Sequence, residues 1–171
     1  MTADPANIKL IILDVDGCLT DGSVYLDHEG NETKRYNIKD GLAIATWMRL
    51  GFEIAIITGR SSGSLGARCL ELGITNLHQG VKDKGVKLAE VLGELGVTLE
   101  ETAAMGDDWN DLPVLGRVGY PMCPADAVSE VQSVAKLVCK ACGGHGAVRE
   151  AIEHLIDAKG LRESALSHYR R

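Results

Sequence analysis

Four short segments of the sequence carry the kinds of side chain that phosphoryl transfer requires. The pair Asp14 and Asp16 comes first along the chain, and an acidic cluster at 107–111 comes last. Between them lie Thr58, in a Thr-Gly-Arg stretch, and Lys84. A phosphoryl group in transfer carries negative charge on its equatorial oxygens, so its catalysts work mainly by positioning and by charge stabilisation. Together the four segments predict a phosphate-processing site.

The carboxylates of the first and last segments predict a magnesium site. Mg²⁺ prefers oxygen ligands and usually keeps several waters beside one or two protein carboxylates. We expect Asp14 and Asp107 to bind the ion directly, and Asp16 to add its backbone carbonyl oxygen. Asp108 and Asp111 are expected to hold metal-bound waters from a second layer of ligands. These ligand types suit manganese and cobalt as well as magnesium.

The first aspartate is the predicted nucleophile. Carboxylates form covalent intermediates with phosphate, and Asp14 would form an aspartyl-phosphate. Asp16, two residues further on, would protonate the leaving alcohol and then deprotonate the hydrolytic water. Thr58 would donate its hydroxyl to a phosphate oxygen, and Gly59 leaves a backbone N–H free to approach. Lys84 would offset the repulsion between the nucleophile and the phosphate, so the chain is predicted to be a phosphomonoester hydrolase.

The elements that must position these residues alternate between apolar strands and helices. Near-continuous aliphatic runs predict strands covered on both faces. Helical periodicity ends at Gly51, Gly73 and Gly96, where glycine suits the left-handed residue after a helix. The predicted strands are 8–13, 53–58 and 102–105, with weaker candidates at 76–78 and 119–122, and the predicted helices are 41–50, 64–72, 84–95 and 147–158. This alternation predicts a three-layer α/β fold with a doubly wound parallel sheet, in which ligands bind at the carboxyl ends of the strands.

Two segments depart from the alternation. Residues 23–36 (SVYLDHEGNETKRY) predict a β-hairpin inserted between the first strand and the first helix. Residues 161–171 lack clear periodicity and are expected to form a mobile C-terminal tail. Neither gap between the first three chemical segments has room for another domain, so residues 1–171 are predicted to form a single domain.

Composition narrows the functional classes. A net charge of −6 argues against a nucleic-acid partner, and no apolar run reaches the roughly 20 residues that a membrane span needs. The first residues lack a signal-peptide pattern, and the five cysteines lack disulfide spacing, so we expect a cytoplasmic protein. Cys123, Cys139, Cys142 and His145 permit a zinc site, but with a single CxxC pair inert thiols are the better interpretation.

The motifs, read in order, resemble those of the haloacid dehalogenase superfamily over roughly residues 8–158. They are DVDG at 14–17, ITGR at 57–60, the lysine at 84 and GDDxxD at 106–111. Within the superfamily the chain is similar to the 3-deoxy-D-manno-octulosonate 8-phosphate (KDO 8-phosphate) phosphatases, through DVDGCLTDG at 14–22 and GGHGAVRE at 143–150. The resemblance implies a Rossmannoid core without a cap domain, and hydrolysis of KDO 8-phosphate to KDO and inorganic phosphate in lipopolysaccharide precursor synthesis.

The same resemblance implies a homotetramer in which hairpins pack together and cover neighbouring active sites. Val24, Leu26 and Tyr36 on the hairpin would supply that interface. The alternative is a small flap folded onto its own core.

The organic part of the substrate is less closely defined by the sequence. Arg60, Arg68 and Lys82 lie near the motif-bearing loops and would pair with a sugar-acid carboxylate, although Arg68 suits an exposed mid-helix position equally well. His145 stands where related phosphatases commonly carry arginine. The 9-phosphates of nine-carbon sugar acids, KDN or N-acetylneuraminate, therefore remain alternative substrates.

Two interpretations from other functional classes remain at this point. A phosphoacceptor receiver domain also combines a doubly wound sheet with an acidic cluster, a threonine and a lysine. It would, however, place its phosphoacceptor on a middle strand rather than after the first. An inactive relative that serves as an assembly subunit is the second alternative, and the intact set of four motifs argues against it.

Overall fold

The sheet places the first strand at its centre, which fixes where the catalytic segments meet. The computed structural model describes residues 4–170. Its six-stranded sheet has the order β5-β4-β1-β6-β7-β8, and every neighbouring pair is parallel. The strands are β1 (Leu10–Leu13), β4 (Glu53–Ile57), β5 (Asn76–His78), β6 (Thr102–Met105), β7 (Tyr120–Cys123) and β8 (Leu137–Val138). The chain builds outward from β1 to β4 and β5, then returns to the other side of β1, so β1 and β6 border the topological switch point.

Helices cover both faces of the sheet and complete three layers. They are α1 (Ile38–Arg49), α2 (Gly63–Leu72), α3 (Lys84–Leu95), α4 (Leu112–Leu115), α5 (Ser129–Val134), α6 (Ala147–Ala158) and α7 (Arg162–Ser167). Two hydrophobic clusters separate the layers. Ile11 and Leu13 point into the cluster that holds α1, α2 and α6, whereas Leu10 and Ile12 point into the one that holds α3, α4 and α5. All four side chains of β1 are therefore buried, as the unbroken aliphatic run predicted.

Three of the predicted helices end at the glycine residues that were expected to follow them. Gly73 and Gly96 are the C-cap residues of α2 and α3, with φ of 76° and 64°, and Gly51 follows α1 with φ of 89°. The first helix begins earlier than predicted, because Asn37 caps it by accepting a hydrogen bond from the backbone N–H of Lys39. The short elements α4, α5 and β8 were not predicted.

The hairpin is present between β1 and α1, as β2 (Tyr25–Leu26) and β3 (Glu32–Thr33), paired antiparallel. Residues 161–171 were expected to form a mobile tail without periodicity, but the described part of this segment contains a packed helix. Residues Arg162–Ser167 form α7, Ala165 is buried in the core cluster, and the Tyr169 hydroxyl bonds to Thr46 and Arg49 on α1. The segment is too short to show helical periodicity, so its contacts with α1 and α6 were not visible in the sequence.

Among residues 4–170, no helix is both long and apolar enough to cross a membrane. Only the hairpin and α1 lie between Asp16 and Thr58, and only α2 and β5 lie between Thr58 and Lys84. The described chain therefore has no cap domain, which confirms the prediction from motif spacing.

Candidate active site

The turn after β1 presents Asp14 and Asp16 at the carboxyl end of the central strand. Asp14 follows Leu13 directly, and Val15–Leu19 then form a wide turn closed by the hydrogen bond that the Thr20 N–H donates to the carbonyl of Val15 at 3.0 Å. Gly17 within that turn has φ of 92°, and a Cβ atom added there would lie 2.1 Å from Oδ2 of Asp107. Only glycine lets the carboxylate of Asp107 approach the turn so closely. The glycine of the DVDG segment therefore brings the first and last motifs together.

The acidic cluster after β6 is organised by Asp111. Its Oδ2 accepts hydrogen bonds from the backbone N–H groups of Asp107 and Asp108, at 3.0 and 3.3 Å. Its Oδ1 accepts from the ammonium of Lys84 at 2.6 Å. Asp111 thus fixes the loop that carries Asp107, and both of its oxygens already have partners. This agrees with the predicted supporting role rather than direct metal binding.

Lys84 forms ion pairs with both acidic segments. It is the first residue of α3 and only 5% exposed, and its Nζ lies 2.6 Å from Oδ1 of Asp14 as well as 2.6 Å from Oδ1 of Asp111. An ammonium buried in this way requires charged partners. Its position agrees with the prediction that Lys84 stabilises the negative charge around the nucleophile.

The charges of this group leave room for a divalent cation. Asp14, Asp107 and Asp111 each have a carboxylate oxygen within 4.8 Å of the others. Three carboxylates opposed by the single ammonium of Lys84 give a formal charge of −2 when all are ionised. Burial, followed by the charge of Asp111, raises the pKa of Asp14 to about 6, and burial, followed by the charges of Asp14 and Asp111, raises the pKa of Asp107 to about 7. The donor set and its excess charge fit Mg²⁺, which Asp14 and Asp107 would hold.

A cleft of about 490 Å³ opens above these carboxylates and collects most of the predicted residues. Thr58 is buried beneath it at 3% exposure, and the backbone N–H of Arg60 donates to its hydroxyl at 3.4 Å. Trp109 stands at the cleft with 64% of its surface exposed. The lining residues are Asp14, Asp16, Gly22, Thr58, Gly59, Arg60, Asp107, Asp108, Trp109 and Asn110.

Two charged hairpin residues that no sequence motif indicates, Glu32 and Lys34, also contact residues of the site. The Lys34 ammonium contacts Oδ1 of Asp16 and lies 2.7 Å from Oε1 of Glu32. The other oxygen of Glu32 contacts Arg60, whose Nε lies 3.6 Å from Oδ2 of Asp16. Contacts with Lys34, then with Arg60, lower the pKa of Glu32 to about 2. Glu32 and Lys34 are two positions apart, and the two-residue period of an extended strand could have placed both on one face.

Several predicted residues lie away from the cleft. Arg68 packs beside Gly41, pairs with Glu71 and donates to the carbonyl of Asn37, so it is neither exposed nor part of the described cleft lining. Lys82 is exposed and is also absent from that lining. The structure therefore does not join either residue to the phosphate site within one chain, because α2 and the loop after β5 direct these side chains elsewhere.

His145 and Tyr36 both lie at the base of the hairpin, with His145 exposed and Tyr36 half-buried. His145 Nε2 lies 2.8 Å from the Arg35 guanidinium, and its Nδ1 lies 2.8 Å from the carbonyl oxygen of Gly143. Tyr36 is half-buried against the core cluster, so it does not provide the exposed interface predicted for it. Within the described residues, only Asp14, Asp107 and Asp111 have the close grouping of ligand atoms that a metal requires, and this does not support the zinc alternative.

The fold and the cleft together define a hydrolase of the haloacid dehalogenase class, and comparison with known proteins agrees. Residues 72–152 match the family of haloacid dehalogenase-like hydrolases. The chain is 40% identical over 163 residues to the 3-deoxy-D-manno-octulosonate 8-phosphate phosphatase KdsC of Escherichia coli K12, covering 95% of this chain and 87% of that one. It is 34% identical to the corresponding enzyme of Moraxella catarrhalis, solved with a magnesium ion, a phosphate ion and KDO. That match has a TM-score of 0.94 and covers 97% of this chain and 95% of that one.

A third relative extends the comparison to another metal. The cobalt-bound deoxy-D-mannose-octulosonate 8-phosphate phosphatase of Haemophilus influenzae superposes with a TM-score of 0.89 at 36% identity, covering 92% of each chain. The chain therefore belongs to the haloacid dehalogenase-like hydrolases, and within them to the 3-deoxy-D-manno-octulosonate 8-phosphate phosphatase family. This membership removes the receiver-domain interpretation.

Proposed function

We propose that the protein is a magnesium-dependent phosphatase that hydrolyses KDO 8-phosphate to KDO and inorganic phosphate. One observation carries the chemical part of this proposal. Asp14, Asp107 and Asp111 converge with Lys84 at the switch point of the sheet, and the group has a formal charge of −2 when all three carboxylates are ionised. Ligands bind at such points in doubly wound folds. A divalent cation and a phosphate ester are complementary to that arrangement.

Each residue of the cleft has a separate role in the proposed reaction. Asp14 would attack phosphorus and carry the phosphoryl group as an aspartyl-phosphate. Asp16 would donate a proton to the leaving sugar oxygen and later accept one from the hydrolytic water. Thr58 and the backbone of Gly59 would bind phosphate oxygens, and Lys84 holds the nucleophile while reducing its repulsion from the phosphate. Mg²⁺ bound by Asp14 and Asp107 would withdraw negative charge from the phosphate oxygens.

The substrate follows from the relatives and from one charged side chain. The KDO ligand of the Moraxella enzyme is a sugar acid, and Arg60 at the cleft wall offers the planar guanidinium that binds carboxylates well. Nine-carbon sugar-acid 9-phosphates carry the same two anionic groups, so they are the second candidate. His145, where the family commonly has arginine, lies at the hairpin base and gives no reason to prefer the longer substrate.

The experiment is a comparison of kcat/KM on KDO 8-phosphate, KDN 9-phosphate and N-acetylneuraminate 9-phosphate, with Mg²⁺ present. We expect the highest value for KDO 8-phosphate, and a preference for either 9-phosphate would overturn the substrate assignment. The Asp14→Asn variant serves as the control because it removes the nucleophile but keeps the shape of the side chain. Turnover by that variant near the wild-type rate would overturn the nucleophile assignment.

We also propose that the enzyme works as a homotetramer in the cytoplasm. Val24, Tyr25 and Leu26 on the hairpin are 48%, 51% and 63% exposed, an apolar edge that a neighbouring subunit could cover. Residues 4–170 contain no cap over the catalytic cleft, so such a neighbour would also enclose the substrate. All five cysteines carry free thiols, in keeping with a reducing compartment.

A further inference from the structure

Four charged side chains from three separate segments form a closed ring at the wall of the cleft. In sequence around the ring they are Asp16, Lys34, Glu32 and Arg60, so the charges alternate in sign. Asp16 comes from the turn after β1 and Arg60 from the loop after β4, while the hairpin supplies both Glu32 and Lys34. The proposed function gives roles to Asp16 and Arg60 but leaves the two hairpin residues without one.

Lys34 is the most deeply buried member of this ring. Its side chain is only 2% exposed, compared with 14% for Glu32, 21% for Asp16 and 49% for Arg60. Burying an ammonium is unfavourable unless carboxylates compensate it, and Lys34 has two of them. A lysine that served only to make the hairpin soluble would instead extend into water. Its placement therefore indicates a specific interaction with Asp16.

The two oxygens of Asp16 have unequal partners, and this difference makes Lys34 important. Oδ1 is in direct contact with Lys34, whereas Oδ2 lies 3.6 Å from Arg60, beyond hydrogen-bond distance. Without Lys34, the nearest remaining cation is Arg60, and its planar fork favours a bidentate carboxylate pair. Asp16 would then turn toward Arg60 and away from the position it holds at the cleft wall.

We propose that Lys34 is a positioning residue that holds the carboxyl group of Asp16 where it can serve the leaving group. The inference rests on the proposed function, in which Asp14 bonds to phosphorus as the bond from phosphorus to the sugar oxygen breaks. In that step the proton of Asp16 passes to the sugar oxygen, and the alcohol departs neutral. The hairpin thus contributes to catalysis within its own chain, in addition to any contact with a neighbouring subunit.

The test compares two leaving groups in the full-length enzyme with Mg²⁺. An alkyl alcohol needs a proton to leave, whereas 4-nitrophenolate leaves as a stable anion. We expect Lys34→Met to lower kcat on KDO 8-phosphate by about 10- to 100-fold, a partial loss of the roughly 100- to 10,000-fold that general acid catalysis contributes. On 4-nitrophenyl phosphate the loss should stay within about threefold. General disruption of the hairpin would reduce both activities equally.

Two further variants test whether Lys34 positions Asp16 or only attaches the hairpin to the core. In an Asp16→Asn background, Lys34→Met should cause no additional loss on KDO 8-phosphate, because the group on which Lys34 acts is gone. Glu32→Gln removes the other partner of Lys34, and we expect it to leave the ratio of the two activities close to that of the wild type. Lys9→Met is the matched control, since Lys9 pairs with Glu101 on a remote surface.

Equal losses on both substrates, no loss on either, or a loss that persists in the Asp16→Asn background would overturn the proposal. Failure of the proposed function gives a different result. A wild-type enzyme that hydrolyses 4-nitrophenyl phosphate but not KDO 8-phosphate refutes the substrate alone. The Lys34 comparison is then made with whichever sugar phosphate the wild-type enzyme hydrolyses.

Discussion

At the scale of single residues, the site is a concentration of negative charge that one lysine only partly neutralises. Asp14 and Asp107 have pKa values raised to about 6 and about 7, and the first cause in both cases is burial. Among residues 4–170, the Asp107 carboxylate accepts a single hydrogen bond, from the Cys18 thiol to its Oδ1 at 3.9 Å. A carboxylate held in this way is available to a cation.

This charge predicts a pH-dependent stabilisation by magnesium. A carboxyl group whose folded-state pKa lies above its usual value of about 4 stabilises the folded protein at low pH. That contribution is lost as the pH rises through the folded-state pKa, here between about 4 and about 7. Mg²⁺ should restore it by binding the ionised pair. We expect saturating Mg²⁺ to raise Tm by about 5–10 °C at pH 8 and by much less at pH 5.5.

Thermal unfolding at the two pH values, with Mg²⁺ and with a chelator, measures this difference. Asp107→Asn removes one expected ligand and one of the raised carboxyl groups, so its Tm should respond weakly to Mg²⁺ at both values. A wild-type response of equal size at pH 5.5 and pH 8 would contradict the assignment of these carboxylates as the metal ligands.

The position of a site residue could be predicted from the sequence where its motif lies directly at a strand end. Asp14, Thr58 and Asp107 are placed by the register of β1, β4 and β6, which the apolar runs made visible. Arg68 and Lys82 were assigned from their nearness in sequence to those motifs. Their side-chain directions depend on local packing, and sequence distance does not encode that packing. The same reason explains why Lys34, 18 residues from Asp16, was not selected.

At the scale of elements, the turn at 143–146 supports the catalytic loop by direct backbone contact. The N–H of Gly144 donates to the carbonyl of Cys18 at 2.9 Å. A Cβ atom added to Gly143 would lie 1.8 Å from the carbonyl oxygen of Gly17. Asp40 joins the same region by accepting from the N–H of Arg149 at the start of α6. These contacts with the turn therefore fix the backbone position of the loop after β1.

Replacing Gly143 by alanine should displace that loop. Because the clash is with backbone rather than with a flexible side chain, we expect a loss of about 1–3 kcal/mol in the free energy of unfolding. A fall in kcat should accompany it, since Gly17 lies between Asp14 and Asp107. Urea unfolding and turnover of the same preparation provide the two measurements.

Gly93→Ala provides the comparison for this change. Gly93 lies in α3, and an added Cβ atom there meets no other atom within 4 Å. Alanine should stabilise that helix by roughly 0.5–1 kcal/mol and leave turnover unchanged. If Gly143→Ala proved as harmless as Gly93→Ala, the turn would not be a support for the catalytic loop.

The predictability of elements followed their length. Helices of ten or more residues and strands inside the sheet were visible in the sequence, because periodicity and apolar runs need several residues to register. Elements α4, α5, α7 and β8 contain between two and six residues. Their conformation depends on contacts made across the fold, such as the hydrogen bond between Tyr169 and Thr46. No local sequence pattern predicts these elements.

At the scale of the whole molecule, an open cleft and an apolar hairpin edge are complementary features. Leu26 is 63% exposed on the hairpin, where it is paired with Glu32 across the two strands. An isolated two-stranded hairpin is only marginally stable in water. Association through this edge would both stabilise the hairpin and enclose the substrate.

Substituting Leu26 by lysine should therefore dissociate the proposed tetramer. We expect wild-type protein to elute as a tetramer by size-exclusion chromatography with light scattering, and Leu26→Lys to elute as a smaller species with a higher KM for KDO 8-phosphate. Leu70→Lys is the matched control, because Leu70 is 83% exposed on α2. A wild-type monomer with full activity at nanomolar concentration would remove the need for a neighbouring subunit.

The two tryptophans give the molecule a built-in optical reporter. Trp47 is sealed in the core with its indole N–H bonded to the carbonyl of Glu53, whereas Trp109 is exposed at the cleft. Aqueous quenchers can reach only the second indole, so emission that iodide suppresses originates at the catalytic entrance. Shielding of that emission would register occupation of the cleft, or its coverage by another subunit, without an attached dye and before any bond is broken.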